Sequence, residues 1–118
     1  MAELGRHEDA RGVIQDVLGP VDSVTRISTV ANAIRGNHAH RETEQWTLVI
    51  SGRLLAACLL DDGQHETEHG PGDLFHEPAG IPHAWKAIED TEVIVLTRGP
   101  RSGENYESDT IRGWSLLS

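Results

Sequence analysis

The chain has little of several things, and each scarcity excludes something. Only one of its 118 residues is cysteine, Cys58, so no internal disulfide forms and no cysteine cluster can hold a metal. Cys58 lies in the apolar run Leu54–Leu60 without a neighbour that would activate a thiol, which reads as a small buried hydrophobe. No apolar run approaches the roughly 18–20 residues of a membrane-spanning helix. Residues 1–9 are polar and acidic, with no basic stretch leading into an apolar one. No secretory signal is therefore expected, and a cytoplasmic location is the default. Lysine is nearly absent, with Lys86 alone against nine arginines. The net charge of −9 argues against nucleic-acid and anionic-membrane partners. Arginine forks still suit a small anionic ligand where a few of them line a pocket.

Turn residues recur at short intervals: Gly19-Pro20, Gly36-Asn37, Ser51-Gly52, Asp61-Asp62-Gly63, Gly70-Pro71-Gly72-Asp73, Pro78-Ala79-Gly80 and Gly99-Pro100. The runs between them are short and rich in strand formers, the pattern of a sandwich or barrel. Strands are expected at 12–17, 24–34, 45–50, 53–60, 64–69, 74–77, 83–88, 92–97 and 110–116, with no helix. With no internal repeat or linker, residues 1–118 read as one all-β domain. Strand alternation sets Gln45, Thr47 and Val49 on one face and the bulkier Trp46, Leu48 and Ile50 on the other. A barrel with a narrow, partly polar interior fits that division.

Two segments carry the chemistry. In Arg35-Gly36-Asn37-His38-Ala39-His40, the two histidines stand two apart and share a face of an extended chain. Such a pair either chelates a divalent metal or acts as an acid and base. In Pro78-Ala79-Gly80-Ile81-Pro82-His83-Ala84-Trp85, a stiffened turn fixes the direction of His83. If His83 faces inward, Trp85 joins it as an aromatic wall. His76, two residues before Pro78, is a candidate for binding substrate or for acid and base work. His65, His69 and His7 read as solvated.

The two segments resemble the paired motifs of the cupin superfamily. The second motif matches at Gly72, Pro78, Gly80 and His83, with Ala87 where asparagine is usual; the first matches at His38, His40 and Gly52. The resemblance implies a small cupin-type β-barrel, or jelly roll, with His38, His40 and His83 as ligands to a divalent metal (Zn, Fe, Mn, Ni or Co). The family's glutamate ligand falls by spacing on Gln45. Glu44 is one residue away and enters only through a local bulge, so strand alternation favours Gln45. Three imidazoles and an amide leave the metal charge uncompensated unless Glu44, water or a substrate anion supplies it.

Three function classes follow from the resemblance. The run Arg35-Gly36-Asn37-His38-Ala39-His40 with Gln45 is similar to cupins that act on nucleotide-linked keto-sugars, the 3,4-ketoisomerases in particular. It is similar also to the zinc-bearing cupin domain of capsular polysaccharide enzymes. Asp9-Ala10-Arg11-Gly12 resembles the entry strand of such isomerases and epimerases. There His38 and His40 would move protons or hold the metal, and Arg35 or Arg41 would grip a diphosphate, with Trp85 and His76 against the substrate. An Fe-dependent dioxygenase with a three-histidine site is the second class. A non-enzymatic small-ligand-binding cupin is the third. Small cupins are often dimers, and the outward Trp46, Leu48 and Ile50 are expected to pack either across the two-fold axis of a homodimer or under the chain's own N-terminal or C-terminal strand.

Overall fold

A computed structural model describes residues 5–100 and 103–118. Eleven strands and one short helix follow in the described residues: β1 (Arg6–Asp9), β2 (Gly12–Gln15), β3 (Ser23–Thr29), β4 (Ile34–His40), β5 (Glu44–Ser51), β6 (Leu54–Leu60), β7 (Gly63–His69), β8 (Leu74–Glu77), β9 (His83–Ala87), β10 (Thr91–Arg98), α1 (Gly103–Asp109) and β11 (Thr110–Arg112). Every pairing is antiparallel. One sheet has the order β3-β10-β5-β8 and the other β11-β4-β9-β6-β7, while β1 and β2 form a separate ribbon. The chain is therefore an all-β jelly roll.

Alternation explains how the sheets face each other. Thr91, Val93, Val95 and Thr97 of β10 are buried, and the residues between them are half-buried. Gln45, Thr47 and Val49 of β5 are likewise buried, with Trp46 and Leu48 half-buried and Ile50 exposed. The apolar core gathers Val49, Leu54, Trp85, Ala87, Val93 and Val95, with Ile27, Ala56 and Phe75 packed on it. The polar interior positions, Gln45 and Thr47, lie beyond this core along β5. One barrel thus has an apolar floor and a polar chamber.

Four sequence expectations are corrected. The strand expected at 24–34 is two strands, because Asn32 turns the chain with φ 72° and the Ala33 amide donates to the Val30 carbonyl. Asparagine tolerates that left-handed conformation, and the apolar alternation on either side concealed it. The strand expected at 110–116 stops at Arg112, where Gly113 follows with φ 132°. Helix α1 stands where none was expected, since seven residues are too few to carry a helical period. The strand expected at 12–17 is shorter and pairs with the unanticipated β1; at their turn Asp9 Oδ1 accepts from the Arg11 amide at 2.8 Å.

The turn between β5 and β6 depends on Gly52. Its φ is 88°, and a Cβ there would run into the Asp90 carbonyl and stand 2.7 Å from the Thr91 Cα. Both backbone strain and steric overlap follow from a larger residue. Gly52→Ala is expected to lower the unfolding free energy by about 1–3 kcal/mol. Urea denaturation followed by tryptophan fluorescence measures this, and an unchanged midpoint would show that the turn gives way without strain.

Candidate functional site

A bulge aims the two histidines of β4. The pairing of β4 with β9 shifts register between Gly36 and His38, which puts His38 directly opposite His83. Gly36 (φ 95°) lies so close to β9 that a Cβ would stand 2.8 Å from the His83 carbonyl oxygen. Asn37 takes φ 57°, and its side chain ties down the C-terminal tail. Its Oδ1 accepts from the amides of Leu116 (2.9 Å) and Leu117 (3.2 Å), and its Nδ2 donates to the Leu117 carbonyl at 3.1 Å. The Pro78-Ala79-Gly80 turn is fastened to the same strand, because the Gly80 amide donates to the His40 carbonyl at 2.6 Å. The two motif segments thus share backbone hydrogen bonds.

His38, His40 and His83 converge. Their ring centroids lie 4.6, 4.9 and 5.6 Å apart, and one nitrogen from each lies within 4.8 Å of the others. His40 and His83 are buried and His38 is half-buried. The hydrogen bonds show which nitrogen donates in two rings. The Thr110 hydroxyl donates to the Tyr106 carbonyl at 2.7 Å, so at 3.3 Å it accepts from His40 Nδ1, which leaves the lone pair of a neutral His40 on Nε2. His83 Nδ1 donates to the Ile81 carbonyl at 3.2 Å, and its Nε2 stands 3.1 Å from Glu77 Oε2, an ion pair when the ring is protonated. Burial, followed by the charges of His83, His40 and Arg112, lowers the His38 pKa to about 3. A half-buried imidazole held neutral among two others is a donor set for a divalent cation.

Asp109 anchors this corner from the end of α1. Its carboxylate accepts from the Glu42 and Thr43 amides at 2.7 and 3.1 Å and lies 3.7 Å from His40 Nδ1. Burial would raise its carboxyl; hydrogen bonds from Thr43 and Glu42, with His40 nearby, outweigh that and hold it below the ordinary range.

A cavity of about 240 Å³ opens onto His38 and His83, with Gln45, Thr47, Glu77 and Trp85 among its walls. Arg35 stands at its edge, where Nε donates to Thr29 Oγ1 at 2.7 Å and Nη2 to the Ser28 carbonyl at 3.0 Å. A second cavity of about 370 Å³ lies on the other side of His83 and Glu77, walled largely by Ala56, Cys58, Phe75 and Ile81.

The structure brings His38, His40, His83, Gln45, Arg35 and Trp85 together. It does not bring Glu44, Arg41 or His76 to the same chamber. Glu44 faces outward in an unbulged part of β5, 2.7 Å from His76 Nε2. His76 also faces outward and stacks on Trp46 at 4.7 Å, although it borders the second cavity. Arg41 follows the last residue of β4 and borders a surface cleft with Glu42, Pro100 and Asn105. Two chamber residues escaped the sequence reading, Glu77 and Tyr106. Glu77 lies on β8, where Leu74 and Phe75 are both apolar and leave the inward face undecided by alternation. Tyr106 lies on α1, for which the sequence offered no signal.

The structure is a jelly roll in which three histidines from two paired strands meet beside a cavity, an arrangement that could hold a metal ion or exchange protons. The family described as Cupin domain matches residues 28–97, and the chain belongs to it. The oxalate decarboxylase of Arthroderma benhamiae is 35% identical over 72 residues, 60% of this chain and 17% of that protein. The oxalate decarboxylase OxdC of Bacillus subtilis is 29% identical over 83 residues, 70% of this chain and 21% of that one. The chain thus spans about a fifth of the length of these curated relatives. Among solved structures, the sugar 3,4-ketoisomerase QdtA of Thermoanaerobacterium thermosaccharolyticum, in complex with TDP, superposes with a TM-score of 0.73 at 16% identity, over 96% of this chain and 86% of that one. No helix among the described residues is long and apolar enough to cross a membrane.

The His38 environment makes a stability prediction. The unfolded imidazole titrates near 6.5 and the folded one near 3, so between these values only the unfolded chain takes up the proton. Its contribution to stability is therefore fully present above pH 6.5 and is lost as pH falls toward 3. In the presence of chelator, the urea midpoint is expected to fall from about pH 7 to about pH 5, and to fall less in His38→Asn. Equal falls in both proteins would remove His38 as the source.

Proposed function

We propose that this cupin is a metal-binding enzyme of the isomerase or epimerase type, which moves a proton beside the carbonyl of a keto-sugar, with a nucleotide-linked sugar as the substrate class. The observation that carries the reading is the convergence of three imidazoles, two of which, His38 and His83, line a cavity that Arg35 also borders. His38, His40 and His83 would hold the cation, with Gln45 beside them. With a conjugate acid disfavoured down to about 3, His38 is a weak base by itself, which favours donation to a cation over direct proton abstraction. Once bound, a divalent ion supplies polarisation of a carbonyl oxygen, which makes the neighbouring C–H more acidic.

The proton leaving the carbon would be taken by a group in the cavity wall, with Tyr106, which carries a hydroxyl, placed there, and the chain's other groups bind and enclose the substrate. Arg35, held by Thr29 and Ser28, presents a fixed positive charge to an anionic substrate. Trp85, Ile27 and Val95 form an apolar part of the chamber wall. At about 240 Å³ the cavity lies below the usual range for a drug-sized ligand, which suits one sugar ring with its nucleotide lying outside. The TDP bound by QdtA supports that substrate class. A homodimer belongs to the same reading: Ile50, Val24 and Val30 stay exposed, and a ribbon of two strands such as β1-β2 is marginal alone. Equilibrium sedimentation is expected to give twice the chain mass, and a monomer at micromolar concentration would count against it.

A second reading rests on the sequence relatives. Similarity to oxalate decarboxylases favours a small dicarboxylate in the same cavity, gripped by Arg35. One experiment separates the two. Untagged protein is expected to carry one divalent metal per chain and to exchange solvent deuterium into a TDP-linked 4-keto-sugar. Both are expected to fall to background in His83→Ala, with the circular dichroism unchanged. Carbon dioxide released from oxalate, without exchange into the keto-sugar, would replace the first reading with the second.

A further inference from the structure

Charge balance at the histidine cluster singles out Glu77. Three neutral imidazoles and the Gln45 amide give a divalent cation nothing anionic. In the pairing of β5 with β8, however, the residue directly opposite Gln45 is Glu77. Opposed residues of an antiparallel pair share a face, so the Glu77 side chain enters the barrel beside the Gln45 amide. It is only 8% exposed. One oxygen, Oε1, accepts from the Thr47 hydroxyl at 2.6 Å, which fixes the carboxylate. The other, Oε2, lies 3.1 Å from His83 Nε2, and His83 is its only ion-pair partner among the described residues.

That last contact calls for positive charge. The Ile81 carbonyl accepts from His83 Nδ1 at 3.2 Å, so the 3.1 Å approach of Nε2 to Glu77 Oε2 is satisfied either by a proton on Nε2, as an imidazolium–carboxylate pair, or by a metal ion that both atoms hold in the proton's place. Two donors each about 2.1 Å from one ion stand roughly 3.0–3.4 Å apart, so the same spacing accommodates a shared ion.

We propose that Glu77 is the anionic ligand of the metal site, the carboxylate having moved from the β5 position held by Gln45 to the facing position on β8. The proposal rests on the reading that His38, His40 and His83 hold a cation. It would give the site three nitrogens and one carboxylate oxygen, a neutral-plus-anionic set like that expected with glutamate at position 45, reached from a different strand; Glu77 touches His83 and stands outside the group of donor atoms within 4.8 Å of one another, so its carboxylate would turn toward His38 and His40 to complete the set. It also relieves Gln45 of coordination and leaves its amide to face substrate.

Zn²⁺ titrated calorimetrically into metal-stripped, untagged full-length protein tests this. Wild type is expected to bind one equivalent, and His83→Ala none. Glu77→Gln is expected to lose more than about 100-fold in affinity, beyond the roughly 10–100-fold that a partner merely positioning a ligand supplies. The exchange Gln45→Glu with Glu77→Gln is expected to regain most of that loss, because it returns a carboxylate to the same face while leaving His83 without its Glu77 contact. A smaller loss in Glu77→Gln, or no recovery in the exchange variant, makes Glu77 a positioning partner of His83 and overturns the assignment. If the exchange variant does not fold, Co²⁺ absorption decides: altered visible bands in Glu77→Gln support ligation, and unchanged bands overturn it. Wild type that binds no metal removes the underlying reading itself, a result distinct from either.

Discussion

The close approach of β4 to β9 at Gly36 sets the geometry on which the site depends. Without a Cβ at position 36, the two strands meet where any other residue would collide with the His83 carbonyl. The register shift beside it is what brings His38 opposite His83. A strand that ran regularly through Asn37 would reverse the facing of everything after it, and His38 and His40 would point to solvent. The bulge is stabilised at long range, since Asn37 holds Leu116 and Leu117 nearly eighty residues on. The C-terminal tail is therefore part of the site's support, although its side chains are not among those lining the histidine chamber.

The interior divides its labour along the strands. Val49, Val93 and Leu54 pack an apolar floor, while Gln45, Thr47 and Glu77 line the chamber above it. Polar groups cost stability when buried unless they are hydrogen-bonded. Thr47 with Glu77, and Asp109 with two backbone amides, meet that condition. The His40 tautomer is set by the same logic, through a hydroxyl whose own proton is already committed to Tyr106. Each fixed donor or acceptor reduces the reorganisation needed when charge enters the chamber.

The barrel and its three histidines were legible because their spacings are local. A pair two apart on a strand and a histidine after a proline-glycine turn need no knowledge of strand pairing. Alternation within β5 was equally local, and it placed Gln45 inward and Glu44 outward as found. What stayed hidden depends on pairing between distant segments. Glu77 stands opposite Gln45 only through the register of β5 with β8, and residue type drew attention to His76 instead. On β8 the alternation was ambiguous by itself, because Leu74 and Phe75 are both apolar and argue for opposite faces. The break at Asn32 was hidden for a related reason: apolar residues on both sides continued a plausible strand. Helix α1, with Asp109 and Tyr106, is too short to leave a periodic signature.

The position of His83 and Glu77 between two cavities bears on how strongly they interact with charge. The smaller cavity presents them with Gln45 and Thr47, the larger with Ala56, Phe75 and Ile81. An ion beside them would therefore have hydrogen-bonding groups such as Gln45 and Thr47 on one side and a mostly apolar wall, with His69 and His76 along it, on the other. Hydrocarbon screens charge poorly, so a carboxylate there attracts a cation more strongly than the same pair would in water. The same hydrocarbon makes an uncompensated charge costly, which favours a carboxylate next to the cation over a fully neutral ligand set. On the proposed reading, a glutamine at position 45 is offset by Glu77, which stands directly opposite it on β8, one rung away in the same sheet.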